Sequence, residues 1–155
     1  QHVYTAEIHK EHIKSCELRF ANYPNVSFHA ESSINMLEKI GLGKIEASPP
    51  YVFYLDAHDT NLAVEIQQKT LIRELKTIRD LFKKEDIRAI LIDDSSGLSL
   101  VPEICTVQEC CDLIMEIDPS YRISMVLKGG TYESASAYDV DVLVAYHPEL
   151  VGYLV

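Results

Sequence analysis

Acidic side chains follow four segments of this sequence that have the apolar pattern of β-strands. These side chains are Glu7, Glu31, Asp56 and the adjacent pair Asp93 and Asp94. Ligands bind beyond the carboxyl ends of the parallel strands in open α/β sheets, so these carboxylates are candidates for a binding site. Each acid also has a structural explanation, because a carboxylate near the start of a helix is stabilised by the helix dipole.

Asp56, Asp93 and Asp94 are the candidates for binding a metal ion. Asp56 ends an apolar run at 51–55, and the other two carboxylates follow an apolar run at 89–92. Adjacent carboxylates repel each other unless a cation or hydrogen-bond donors offset their charge, and magnesium and calcium prefer oxygen ligands. Successive strand residues point to opposite faces, so both acids of the pair reach one ion only if the strand turns at its end. The alternative is that Asp94 caps the following turn.

His58 is the candidate for accepting a proton from a hydroxyl group. It lies two residues after Asp56, and an imidazole with a pKa near neutrality suits that role. The histidines at positions 9, 12, 29 and 147 have no acidic or cysteine partner at the spacing typical of metal sites. We interpret these four as surface or strand-end residues.

The cysteines and glycines exclude several kinds of site. Cys16, Cys105, Cys110 and Cys111 show no Cys-x-x-Cys or Cys/His metal spacing, and we interpret them as free thiols in a reducing compartment. Neither a glycine-rich phosphate loop nor a Gly-x-Ser-x-Gly nucleophile motif is present. The N-terminus lacks a basic region followed by an apolar core, so we predict a cytoplasmic protein.

Strand and helix patterns alternate along the chain, which predicts a mostly parallel sheet covered by helices. Strands are predicted at 2–8, 25–30, 51–56, 87–94, 122–127 and 140–146, and helices at about 9–21, 32–40, 62–84 and 107–117. The last two strands are joined by a segment without helical periodicity, so we expect them to pair antiparallel. The apolar run at 51–56 predicts a strand that is buried on both faces near the middle of the sheet.

Length and charge limit the possible partners. A chain of 155 residues predicts one domain. With 24 acidic and 14 basic residues, the formal net charge is -10, which makes nucleic acid a poor partner. The longest apolar stretches are strand-sized, far below the roughly 20 residues that cross a bilayer, so we expect no membrane span.

The order of these segments resembles the class I S-adenosylmethionine-dependent methyltransferases, and most closely the branches that methylate oxygen atoms of small molecules and sugars. The resemblance rests on residues 3–7, 25–32, 51–58 and 89–94, in that order, and covers nearly the whole chain. It implies an α/β, Rossmann-like methyltransferase sheet that is mostly parallel, has an antiparallel last strand and carries helices on both faces. It also implies S-adenosylmethionine as the cofactor and a small polar acceptor, such as a sugar, as the substrate.

The resemblance assigns cofactor-binding roles to four residues. Glu7 falls on the acid that holds the ribose of the cofactor. Glu31 and Ser32 fall on the acidic or small polar residues beside the adenine, although Ser32 also suits an ordinary helix N-cap. Asp56 falls on the aspartate near the sulfonium and the acceptor.

A metal-assisted reaction is a further implication of the resemblance. In the divalent-metal members, an aspartate at the place of Asp56 and an acidic pair at the place of Asp93 and Asp94 hold magnesium. The ion lowers the pKa of the acceptor hydroxyl and orients it, while His58 takes the proton. Asp56 and His58 are therefore the predicted catalytic residues.

The sequence departs from the family at its start. The first strand and glycine-rich loop of the family would lie before Gln1, so we expect the natural protein to have a further N-terminal part. The chain alone should be unstable as a monomer or should associate into a homo-oligomer, because a sheet without its central strand exposes strand edges.

Two other functional classes are open. One is a non-catalytic module that retains the fold as a binding or assembly platform, and cofactor binding distinguishes it from an enzyme. The other is a haloacid dehalogenase-type phosphatase, for which Asp56 would be the nucleophile. That chemistry requires a second aspartate where this sequence has His58, and Asp59 is one residue too late.

Overall fold

The computed structural model describes residues 1–56, 64–95, 105–127 and 141–149. Within these residues, strands and helices alternate as the sequence predicted. The strands are β1 (Val3–Ala6), β2 (Val26–His29), β3 (Tyr51–Leu55), β4 (Ile87–Ile92), β5 (Arg122–Leu127) and β6 (Asp141–Tyr146). The helices are α1 (Lys10–Arg19), α2 (Ser33–Gly41), α3 (Val64–Leu81) and α4 (Val107–Ile117), with a short 3-10 helix at Lys84–Asp86.

The chain divides into two compact units, unit 1 (Gln1–Ser48) and unit 2 (Pro49–Val155). β1 and β2 form the sheet of unit 1, and the other four strands form the sheet of unit 2. The single domain over residues 1–155 stays a prediction. Among the helices in the described ranges, none is long and apolar enough to cross a membrane.

Unit 1 is built on a parallel pair of strands. β1 and β2 pair from Val3 opposite Val26 to Ala6 opposite His29. α1 packs against β2 and α2 packs against β1. The buried side chains of α2 are those of Ile34, Met36 and Leu37. The parallel register places the carboxyl ends of both strands at the same edge of this sheet.

Gly43 lies just after α2 and has a left-handed backbone, at φ +68°. Its N–H donates to the carbonyl of Ile40 at 2.9 Å, and the N–H of Lys44 donates to the carbonyl of Lys39 at 2.7 Å. These two hydrogen bonds form a Schellman motif, in which glycine is the preferred residue. A β-carbon at Gly43 would meet no atom within 4 Å. The backbone angle, and not crowding, therefore favours glycine here.

Unit 2 contains a four-stranded sheet in the order β3-β4-β6-β5. β3 and β4 run parallel, with Leu55 opposite Ile92. β6 lies between β4 and β5 and runs antiparallel to both, with Ala145 opposite Ile90 and Ile123. The predicted antiparallel pairing of the last two strands is confirmed, and the sheet mixes parallel and antiparallel pairs.

One face of this sheet lies in the core of unit 2. Phe53 and Leu55 of β3 and their partners Ile90 and Ile92 of β4 are buried. The ring of Phe82, just after α3, lies 5.0 Å from the ring of Phe53, which ties the end of this helix to the sheet. α3 and α4 pack against each other, and their buried residues recur every three or four positions. These residues include Leu71, Leu75 and Ile78 of α3 and Cys110, Ile114 and Ile117 of α4.

The prediction that β3 is a central, doubly buried strand is wrong. In the described sheet β3 lies at one edge, and Val52 and Tyr54 on its second face are 59% and 53% exposed. β-branched and aromatic side chains suit a pleated strand whether its second face is covered or not. The apolar run therefore indicated a strand correctly but did not indicate how many of its faces are buried.

Candidate functional site

Three predicted cofactor-binding residues lie at one edge of the sheet in unit 1. The N–H of Glu7 donates to the carbonyl of His29 at 3.0 Å, which fixes the end of β1 beside the end of β2. Glu31 and Ser32 follow β2 directly. We name Glu7, Glu31 and Ser32 the β1–β2 edge. The structure thus brings together the residues predicted to contact the ribose and the adenine.

Glu7 is held in an ionised state by the start of α1. Its Oε1 accepts a hydrogen bond from the N–H of His9 at 2.7 Å, and its Oε2 lies 3.3 Å from Nδ1 of His12. Burial raises the pKa of Glu7, but these hydrogen bonds and the charges of the two histidines outweigh burial and leave the pKa below its usual value. The side chain is 33% exposed, so this carboxylate can accept further hydrogen bonds from a ligand.

Glu31 and Ser32 have structural partners of their own. Oε2 of Glu31 lies 2.6 Å from Nζ of Lys39, and Oε1 lies 3.7 Å from Nδ1 of His29. Oγ of Ser32 accepts a hydrogen bond from the N–H of Asn35 at 3.3 Å, so its alternative role as the N-cap of α2 is confirmed. These contacts position both side chains at the β1–β2 edge.

Three other predicted residues lie at the edge of the sheet in unit 2 where β3 and β4 end. The N–H of Asp93 donates to the carbonyl of Leu55 at 3.0 Å, so the ends of the two strands are adjacent. Asp56 follows β3 and is exposed. The chain turns at Asp94, whose φ is +50°, as a shared metal site would have required. We name Asp56, Asp93 and Asp94 the β3–β4 edge.

Asp93 is buried and satisfied by hydrogen bonds from the protein. Its Oδ1 accepts the N–H of Asp94 at 2.8 Å, and its Oδ2 accepts the hydroxyl of Tyr54. The side chain of Tyr54 reaches Asp93 from the neighbouring strand. Donors therefore offset the charge of this carboxylate, which is the alternative to a bound cation.

These residues do not fit a magnesium site. Asp56, Asp93 and Asp94 all belong to the described part of the chain. In that part, no three His, Cys, Asp or Glu side chains are placed to hold a metal ion. Both oxygens of Asp93 already accept hydrogen bonds from protein groups. The described residues therefore do not form the predicted metal triad, and donors from the turn and from the neighbouring strand offset the charge of Asp93 instead. The predicted proton acceptor, His58, lies outside the described residues.

Three histidines have acidic neighbours that their spacing in the sequence did not indicate. His12 faces Glu7 and His29 faces Glu31, as described above. Nε2 of His147 lies 3.8 Å from Oδ2 of Asp118, and its ring lies 4.7 Å from the ring of Tyr121. For His12, the only signal available was its position five residues after an acid that ends a strand.

The cluster around His147 lies away from the β3–β4 edge. Asp118 and Tyr121 precede β5, whose first residue, Arg122, pairs with Tyr146 at the end of β6. Tyr146 also pairs with Ala89 near the start of β4, so this cluster is at the opposite end of β4 from Asp93.

No protein-family model and no curated protein matches the sequence. Solved structures do match the fold. The chain resembles an O-methyltransferase from Bacillus cereus, solved in complex with SAH, with a TM-score of 0.59 and 16% identity over 94% of this chain and 62% of that one. It also resembles the N-methyltransferase NodS from Bradyrhizobium japonicum WM9, with a TM-score of 0.52, 8% identity, and 95% and 74% of the two chains covered.

A third similar structure is an rRNA methylase from Streptococcus thermophilus, with a TM-score of 0.52 and 10% identity over 94% of this chain and 73% of that one. The chain has the Rossmann-like methyltransferase fold. It spans about three fifths of the Bacillus cereus methyltransferase, of which 62% is covered. The three similar proteins methylate different kinds of atom or molecule, so the fold alone does not assign the acceptor.

Proposed function

We propose that this chain is part of an S-adenosylmethionine-dependent methyltransferase that methylates an oxygen atom of a small polar acceptor, such as a sugar. The observation that carries the proposal is the β1–β2 edge, where an ionised, partly exposed carboxylate ends one strand beside the polar end of the next. The methyltransferase fold and the complex of a similar O-methyltransferase with SAH, the demethylated cofactor, support the same cofactor.

The residues of the β1–β2 edge bind the adenosine part of the cofactor in this proposal. Glu7 accepts hydrogen bonds from the ribose hydroxyls, with its carboxylate oriented by the N–H of His9. Glu31 and Ser32 contact the adenine, and Lys39 fixes the orientation of Glu31. S-adenosylmethionine supplies an activated methyl group when it is bound.

Asp56 and His58 act on the acceptor in this proposal. The exposed carboxylate of Asp56 orients the acceptor by accepting a hydrogen bond from a hydroxyl next to the one that reacts, and His58 removes the proton of the reacting hydroxyl as its oxygen becomes methylated. Hydrogen bonds from Tyr54 and Asp94 offset the charge of Asp93, and no step of this mechanism is routed through magnesium.

Cofactor affinity tests the proposal. The protein, with any residues that flank this chain in its gene, should bind S-adenosylhomocysteine in a calorimetric titration. Glu7→Gln keeps the shape of the side chain and removes its charge, so the affinity should fall about tenfold or more through loss of charge-assisted hydrogen bonds. Glu11→Gln is the matched control, because Glu11 is an exposed acid in the first turn of α1. It should leave the affinity unchanged.

The same titration distinguishes the alternative function. If the protein is folded but binds neither S-adenosylmethionine nor S-adenosylhomocysteine, it is a non-catalytic module that retains the methyltransferase fold. If it binds the cofactor and Glu7→Gln binds equally well, the proposal of a methyltransferase stands, but the role assigned to Glu7 is wrong.

A further inference from the structure

Cys105 and Cys110 place two buried thiols in contact. Their Sγ atoms lie 3.7 Å apart, and both side chains are buried. All four cysteines of the chain are free thiols, and Cys16 and Cys111 are each partly exposed. The spacing of five residues between Cys105 and Cys110 matches no metal or redox motif, so the sequence did not indicate this contact.

The contact follows from the way α4 begins. Thr106 is the N-cap, and it exchanges hydrogen bonds with Glu109 in a capping box. In this motif the residue before the N-cap often packs on the fourth residue of the helix, and the two are usually hydrophobic. Here those two positions hold Cys105 and Cys110. Cysteine packs as a small apolar residue but adds a reactive sulfur.

The surroundings make the two sulfurs chemically different. The hydrogen bond between the two thiols outweighs burial and the charge of Glu109 and lowers the pKa of Cys105. The same hydrogen bond and burial raise the pKa of Cys110. Cys105 also precedes the positive end of the dipole of α4, which favours a thiolate. The position of Cys105 at the start of α4 suits it to attack, and the contacting sulfur of Cys110 then resolves.

We propose that Cys105 and Cys110 form an oxidation site, at which hydrogen peroxide converts the two thiols into a reversible disulfide. The Cys105 thiolate attacks a peroxide oxygen, the O–O bond breaks, and the departing hydroxide takes up a proton to give water. The sulfur of Cys110 then attacks the sulfenic acid of Cys105, the S–O bond breaks, and a second water leaves with the Cys110 proton. The two thiols together lose two electrons and the peroxide gains them.

Peptide mapping tests the proposal directly. The native protein is treated with hydrogen peroxide, its remaining thiols are blocked with iodoacetamide, and it is digested with a protease that cleaves after glutamate. Cleavage after Glu103, Glu109 and Glu116 separates a peptide with Cys105 from a peptide with Cys110 and Cys111. A disulfide keeps these two peptides joined until dithiothreitol is added. We expect the link from Cys105 to Cys110 to exceed every other pair by about tenfold, because touching thiols react as an intramolecular pair.

Two variants are the controls. Cys111→Ser should leave the link intact, because the neighbouring helix position points about 100° away from Cys110. Cys110→Ala should remove the link, and its circular dichroism spectrum shows whether it is folded. The wild-type map remains decisive if this variant unfolds. Oxidised protein in which Cys105 and Cys110 are both still alkylated, or in which Cys105 is linked to Cys111, would overturn the proposal.

Discussion

Asp118 lies almost buried between the end of α4 and the start of β5. Its Oδ1 accepts the N–H of Ser120 at 2.8 Å, and Oδ2 lies 3.8 Å from Nε2 of His147. Burial raises the pKa of Asp118, but the hydrogen bonds from Ser120 and the positive charges of Lys84 and His147 bring it below the usual value. The folded chain therefore holds this carboxylate ionised at a lower pH than the unfolded chain does.

We predict that Asp118→Asn destabilises the protein by about 1–2 kcal/mol at pH 7, because it removes an ionised acceptor. The pKa of Asp118 is about 3.9 in the unfolded chain and lower in the folded state. The stabilisation by ionised Asp118 is therefore complete at pH values above about 3.9. It is lost as the pH falls through the pKa of the folded state. Urea unfolding at several pH values should show the difference from wild type shrinking as the pH falls. Asp112→Asn, at an exposed hydrogen bond on α4, should show little difference at any pH.

The site residues show what local sequence can and cannot predict. Each acidic site residue was located correctly after a strand, because strand ends follow from the local apolar pattern. Their partners were not predicted: Tyr54 is 39 residues away from Asp93. Such a pair depends on which strands are neighbours, and the apolar period does not determine that. The hydrogen bond from Tyr54 that offsets the charge of Asp93 is a pair of this kind, and the magnesium prediction did not include it.

Among the elements, α3 and α4 show the closest agreement between pattern and packing. The helical pattern predicted a helix over about 62–84, and Leu71, Leu75 and Ile78 of α3, which recur at helical spacing, are all buried. The order of strands could not be predicted in the same way, since β6 enters between β4 and β5. Nothing in the local pattern of β6 shows whether this strand lies between two others or at the edge of the sheet. Helix faces depend on residues a few positions apart, whereas sheet order depends on distant segments.

We predict that Leu75→Ala lowers the free energy of unfolding by about 2–5 kcal/mol, because the side chain is fully buried between α3 and its neighbours. Leu18 of α1 provides the matched control, since it is 82% exposed. Leu18→Ala should change stability by less than about 0.5 kcal/mol. Urea unfolding followed by circular dichroism measures both. If Leu75→Ala loses no more stability than is expected of Leu18→Ala, the packing of α3 contributes little.

At the scale of the whole molecule, the net charge of -10 opposes binding to RNA. The likeness to an rRNA methylase is a likeness of fold, and it does not offset this repulsion. We predict no saturable binding of a single-stranded RNA oligonucleotide at an ionic strength of about 0.15 M, as measured by fluorescence anisotropy. Tight binding that weakens with salt would contradict a small-molecule acceptor, and it would point to a local basic surface.

A side chain added at a glycine can destabilise a protein through backbone strain and through steric clash. At Gly43 only the strain applies, because the backbone is left-handed and the space around it is empty. In Gly43→Ala the methyl group meets no atom, so the expected loss of about 1–2 kcal/mol reflects the chirality of L-alanine alone. A D-alanine introduced at this position by chemical ligation has the opposite handedness, and it should raise the melting temperature by restricting the unfolded chain. The end of α2 is thus a place where mirror-image chemistry, with no change in packing, should reverse the sign of a stability effect.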